Sequence, residues 1–211
     1  MPLVQTGDRV QTGDRALVQI VDAALAEAAR KSGAWLVCRP GCSECCIGAF
    51  PISQLDAQRL RLGLRELEQE DAPRALRVRL RARDYIARFW SDFPGDPATG
   101  VLEGPTEEDD DAEDRFASYA DDVPCPALDP EAGTCDLYAA RPMTCRIFGP
   151  PMRSGSEALG VCELCFHGAS DDEIAACQVE VDPDNMESAL LTELEQTTGA
   201  RGETIVAFAL R

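Results

Sequence analysis

VCRPGCSECCIG, residues 37–48, places four cysteines within nine positions: Cys38, Cys42, Cys45 and Cys46. Two residues between cysteines let a tight turn point both thiolates at one ion, and Cys42 and Cys45 have that spacing. Adjacent side chains diverge and a disulfide between neighbours is strained, so Cys45 and Cys46 suit two different ions, or two edges of one polynuclear cluster. A segment committed in this way folds as a loop around a centre rather than as a regular element.

Two further groups follow. PCPALDPEAGTCDLYAARPMTCRIF carries Cys125, Cys135 and Cys145, and VCELCF carries Cys162 and Cys165. Pro124 and Pro126 restrict the backbone around Cys125 and reduce the entropy lost on ligation. Arg146, directly after Cys145, would offset the charge of a multi-thiolate site. Ten cysteines exceed what an ordinary chain of 211 residues carries, and 45% apolar composition already provides a core without disulfides. Core residues follow helical periodicity, and these clusters do not. Cys177, alone in DDEIAACQVEV, reads as a buried small hydrophobe. His167, the single histidine, reads as a surface residue, so mixed Cys/His zinc sites and histidine-dependent hydrolysis are disfavoured.

Between Leu17 and Ala29 the apolar run is broken by Asp22 and Glu27, so no secretory segment is expected, and no run of about 18 apolar residues spans a bilayer. A cytoplasmic setting follows, where thiols stay reduced and close cysteine spacing signals metal or redox chemistry. The net charge of −18 repels phosphate backbones and anionic lipid, so neither nucleic acid nor membrane is expected as a partner. The basic residues are one lysine, Lys31, and nineteen arginines, a bias attributed to genome composition.

The expected fold is mainly α, a small helical domain with an irregular cysteine-rich loop layer. VQTGDR occurs twice in the first fifteen residues and is expected to fray. A single domain is expected over 16–211, with its metal core at about 35–167. Leu17, Ile20, Val21, Ala24, Leu25 and Ala28 predict a helix over 16–31. Ser53, with Asp56 three residues on, predicts a helix start. A third helix over 73–93 is expected to bury Leu76, Leu80, Ile86, Trp90 and Phe93, with Arg74, Arg77, Arg81 and Arg88 as a solvated stripe. Residues 94–123, with EEDDDAED, read as an acidic flexible loop, and C-terminal helices are expected over 185–211.

Taken together, CRPGCSECC, PCPAL and GTCDLYAARPMTCRIF resemble the YkgJ-type cysteine-cluster family of zinc- or iron-chelating proteins, over roughly residues 35–167. The resemblance implies eight metal-site cysteines: Cys38, Cys42, Cys45, Cys46, Cys125, Cys135, Cys145 and Cys165. Cys162 competes with Cys165 for the last place. Tyr138, Arg141 and Arg146 are assigned to hydrogen-bonding sulfur or pinning the loop. A related branch is similar to flagellin lysine N-methylases, which share the motif; here no separate S-adenosylmethionine-binding unit is visible.

The spacing of Cys38, Cys42 and Cys45 also matches radical SAM enzymes. Glu44 stands where an aromatic precedes the third cysteine there, and no strand–helix repeat builds a barrel. An iron–sulfur cluster, of 4Fe-4S type, is preferred over zinc because thiolates are in surplus. The expected role is structural, electron-transferring or metal-carrying, through a protein or redox partner. The alternative is an iron–sulfur enzyme that modifies a protein side chain, or a redox enzyme. No catalytic residue is assigned.

Overall fold

Val10, Asp14, Leu17, Val21 and Ala28 recur at three, four and seven residues, and each is buried. That stripe carries the first helix back through the duplicated hexamers. In a computed structural model, which describes residues 3–39, 41–104 and 112–211, α1 spans Leu3–Ser32. The expectation of a frayed start is thus corrected from Leu3 onward. The second VQTGDR copy supplies Val10 and Asp14 to the buried face and Gly13 to a contact with Leu190.

The remaining elements are α2 (Gln54–Glu70), α3 (Ala72–Phe89), β1 (Gly95–Asp96), β2 (Val101–Leu102), α4 (Ala112–Ser118), β3 (Leu128–Asp129), β4 (Thr134–Cys135), α5 (Met143–Ile147), β5 (Met152–Ser154), β6 (Glu157–Ala158), α6 (Asp171–Cys177), β7 (Val179–Glu180), α7 (Met186–Thr198) and α8 (Val206–Ala209). The fold is mainly α, with strands of two or three residues. Part of the EEDDDAED run lies outside the described residues. On either side of it, the stretch expected to be a flexible loop forms the β1–β2 hairpin and α4. No helix among the described residues is long and apolar enough to cross a membrane.

The chain makes two compact units that alternate along the sequence: residues 1–40 with 143–200, and residues 41–142 with 201–211. In the first, α7 packs along α1, with Leu190 against Gly13. The Asp182 carboxylate starts α7 by accepting from the Met186 and Glu187 N–H groups at 2.9 and 2.8 Å, satisfying donors that have no intrahelical partner. β5 pairs antiparallel with β6 and parallel with β7. Met152, at the head of β5, is fully buried with Ala28 and Val181. Arg146, on α5, is 2% exposed and donates to Asp22 of α1 at 2.7 Å.

In the second unit, α2 and α3 form a helical hairpin. Ser53 Oγ accepts from the Asp56 N–H at 3.2 Å, as the sequence suggested, and Asp71 caps α3 through the Arg74 N–H at 3.0 Å. The buried face of α3 matches the expected one only in part. Ile86, and Phe93 beyond the helix end, are buried as expected. The rest of the inward face is Ala75, Val78, Ala82 and Tyr85, whereas Leu76, Leu80 and Trp90 are 55%, 47% and 47% exposed. Small residues are selected here because α3 packs closely against both α2 and α8.

The last residues of the chain return to complete this core. Ile52 and Thr204 exchange backbone hydrogen bonds at 2.8 and 2.9 Å, and Leu102 N–H donates to Glu203 O at 2.8 Å. Ile205, Val206, Phe208 and Leu210 are then buried among α2, α3 and the Phe93–Tyr119 aromatic pair.

Candidate metal centre

Five cysteines, Cys42, Cys45, Cys46, Cys125 and Cys135, belong to the 41–142/201–211 unit. Glu44–Cys46 is a single 3₁₀ turn, closed by the Cys46 N–H on Ser43 O at 2.8 Å. The chain then runs antiparallel to residues 123–125. Gly48 N–H donates to Val123 O at 2.9 Å, and Cys125 N–H donates to Cys46 O at 2.7 Å. Gly48 has φ +86°, and a Cβ there would stand 3.1 Å from the Asp121 carbonyl oxygen, so glycine is required on both counts. These bonds place Cys46 and Cys125 on adjacent, paired backbone segments.

Cys135 enters through the β3–β4 hairpin, opposite Leu128. The turn is made by Asp129, whose carboxylate accepts from the Glu131 and Ala132 N–H groups at 2.8 and 3.2 Å, and by Gly133 at φ +64°. Leu128 N–H returns to Cys125 O at 2.9 Å. Cys125 therefore opens the turn that leads into the hairpin and Cys135 stands on its second strand, both packed against the buried core of the unit.

The thiols differ in acidity. Cys45 is lowered to about 6, first because the Cys46 S–H hydrogen-bonds to its sulfur. Cys46 is raised by the same bond, by burial, and by the facing Cys45, Cys125 and Cys135. Burial pushes Cys125 up to about 12 and raises Cys135. Above pH about 6, Cys45 is ionised while Cys46, Cys125 and Cys135 hold their protons at neutrality. An ion bound by these sulfurs displaces those protons, so acid weakens binding. Zinc affinity measured by chelator competition is expected to rise with pH, by about tenfold per unit for each proton displaced. A flat profile between neutral and mildly alkaline pH would show that these thiols are not ligands.

The side chains at residues 138–141 are held by two arginines. Arg141 donates to Tyr138 O at 3.0 Å and lies over the Tyr138 ring at 4.0 Å, while Tyr138 itself is 63% exposed. Arg59, buried and paired to Asp56 at 2.6 Å, reaches Arg141 O at 3.4 Å.

The other five cysteines, Cys38, Cys145, Cys162, Cys165 and Cys177, belong to the 1–40/143–200 unit. The first motif is thus divided, with Cys38 in one unit and Cys42, Cys45 and Cys46 in the other. Cys38 Sγ lies beside Gly149 (φ +131°), where a Cβ would come within 3.3 Å of the sulfur. Cys162 N–H donates to that same Gly149 carbonyl at 3.3 Å, and Cys165 N–H closes a turn on Cys162 O at 2.9 Å. Cys162, Cys165 and Cys177 are all buried in one apolar cluster with Phe166, and Cys177 Sγ donates to Lys31 O at 3.4 Å. Cys145 is half-buried on α5, next to Arg146. His167 is exposed.

Among the described residues, no three His, Cys, Asp or Glu side chains converge as ligands of a single ion. The donor chemistry of the 41–142 group nevertheless fits a thiophilic ion: soft sulfur throughout, one thiol already acidic, and positive charge close by. The guanidinium groups of Arg74 and Arg141 favour the charged form of Cys135, and that of Arg81 favours the charged form of Cys125.

Asp136 was not among the residues singled out from the sequence. It is buried, its two oxygens taken by Arg74 and Arg81. Those two arginines therefore leave the solvated stripe expected of them, although Arg77 and Arg88 remain exposed. The available signal was the seven-residue spacing of Arg74 and Arg81 on one helix face.

No curated protein and no solved structure matches the chain. A family model described as "CxxCxxCC: Putative zinc- or iron-chelating domain" matches residues 37–166, from the first cysteine group through Cys165. That stretch is more than half of the chain and contains nine of its ten cysteines. The chain belongs to this cysteine-cluster family of metal-chelating domains.

Proposed function

We propose that the protein binds an iron–sulfur cluster through cysteine thiolates, and that it acts as a structural, electron-transferring or metal-carrying component with a protein or redox partner in the cytoplasm. The observation that carries this reading is the backbone pairing of Cys46 with Cys125, with Cys135 on the second strand of the hairpin that follows Cys125. Half-buried thiols on neighbouring backbone segments support a shared centre, although without an ion no three of them converge among the described residues.

The preference for a cluster over a single zinc ion rests on the surplus of sulfur. Five cysteines in one unit, two of them adjacent and sharing a hydrogen bond, exceed the four ligands of a tetrahedral ion. Cys38, Cys145 and Cys165, with Cys162, would supply the remaining thiolates of the family set. A bound cluster would supply one-electron redox chemistry.

The non-enzymatic role rests on the sequence, which offers no acid–base pair beside the cysteines on which a mechanism could be built. Metal and acid-labile sulfide should be measured on protein purified without oxygen. Iron and sulfide in equal amounts, with broad visible absorption that dithionite bleaches, are the expected result. Colourless protein carrying zinc and no sulfide would overturn the cluster and leave a structural metal site.

A further inference from the structure

Asp136 follows Cys135 directly, and its side chain is 1% exposed. One oxygen accepts from Arg74 Nε at 2.5 Å and the other from Arg81 Nη2 at 2.5 Å. Arg81 also donates through Nε to Pro126 O at 2.9 Å. A single guanidinium thus grips the residue after Cys125 and the residue after Cys135. The Asp136 backbone closes the same loop, its N–H donating to Ala127 O at 2.8 Å.

Burying a carboxylate is costly, and apolar residues of similar size often stabilise a fold as well as a buried ion pair does. Such a pair does fix geometry, because each short charge-assisted bond tolerates little displacement. Two guanidinium groups meet this carboxylate, with Asp71 and Asp129 also close to Arg74, and Arg74 and Arg81 favour the charged forms of Cys135 and Cys125 respectively. A thiolate-bound metal centre is anionic, so positive charge held at this place offsets it.

We propose that Arg74, Asp136 and Arg81 form a positioning clamp for the metal centre, holding Cys125 and Cys135 in register and supplying positive charge that offsets their thiolates. The clamp rests on the metal-centre reading above and adds three residues that touch no metal themselves.

The test uses the full chain, with Zn²⁺ affinity read by competition against a chromophoric chelator and the sulfur-to-metal charge-transfer band read with Co²⁺. R74Q/R81Q is expected to bind Zn²⁺ about 10- to 100-fold more weakly, with a weakened Co²⁺ band and an unchanged far-UV circular dichroism spectrum without metal. R81K, which restores charge but not the fork, is expected to recover part of the affinity. If the double variant does not fold, R81Q alone carries the test, because Arg74 still holds Asp136. Its expected loss is about tenfold.

Wild-type affinity in these variants, with Cys125→Ser still losing metal, would overturn the clamp and leave the metal centre intact. Equal Zn²⁺ binding by wild type and Cys125→Ser would remove the metal centre from this hairpin, and the clamp's role with it.

Discussion

Cys125→Ser is expected to weaken metal binding by at least about a hundredfold and to lower the melting temperature of the loaded protein, while leaving the metal-free fold in place. Serine fills nearly the same space and leaves intact the Cys125 backbone bonds to Cys46 and Leu128. What it removes is the half-buried thiol proposed as a ligand, and the binding free energy of a structural metal is part of the folding free energy. A hundredfold loss of affinity corresponds to roughly 2.7 kcal/mol less ligand-linked stabilisation. In a chain of this size, that is a fall of about 5–10 °C in melting temperature.

Cys177→Ser is the control. The Cys177 thiol is buried in the other unit and donates to Lys31 O, so metal content should be unchanged. Unchanged metal in Cys125→Ser would exclude Cys125 as a ligand. Metal loss in Cys177→Ser would show that the cysteines are divided differently.

The second large effect is expected far outside the matched stretch. A chain ending at Ala200 lacks Ile205, Val206, Phe208 and Leu210, each at most 5% exposed in the intact protein. Burying four such side chains contributes roughly 6–12 kcal/mol, comparable to the whole stability of an ordinary domain at about 5–15 kcal/mol. Amides of α2 and α3 should then lose their slow hydrogen exchange, and residues 52–137 should become sensitive to protease. Retained protection in that truncated chain would mean that α2 and α3 close without α8. The family match at 37–166 stops short of residues 201–211, which finish the core beneath its hairpin, so the matched stretch alone is expected to fold poorly.

The parts of this fold that were legible in the sequence are those governed by local rules. The Ser53 cap, the helical class and the C-terminal helix near 185 depend on residues a few positions apart. The start of α1 was equally local but was hidden by the Thr-Gly-Asp repeats, whose weak helix propensity masked the seven-residue spacing of Val10 and Leu17. The face of α3 was partly misread because large apolar residues usually mark the core. Here closely packed neighbours select Ala75, Val78 and Ala82, and leave Leu76 and Leu80 outside.

The cysteine groups were visible from spacing alone, but their distribution between units was not. Pro40-Gly41, between Cys38 and Cys42, is a turn signal and the division falls there. A turn does not by itself separate two units, because the division is set by where distant segments pack. The clamp was hidden for the same reason, since Arg74 and Arg81 meet a carboxylate more than fifty residues away.

The alternation of the two units along the chain has a consequence for the order of events during synthesis. Residues 1–40 emerge first, then 41–142 carrying Cys42, Cys45, Cys46, Cys125 and Cys135, and all of 143–200 must be made before α8 exists. Throughout that interval the core of this unit lacks its last apolar residues, and the half-buried Cys125 and Cys135 packed against it are less protected from water and oxidants. If these thiols hold the proposed centre, its loading is expected to follow docking of the tail, and the cysteines must stay reduced until then.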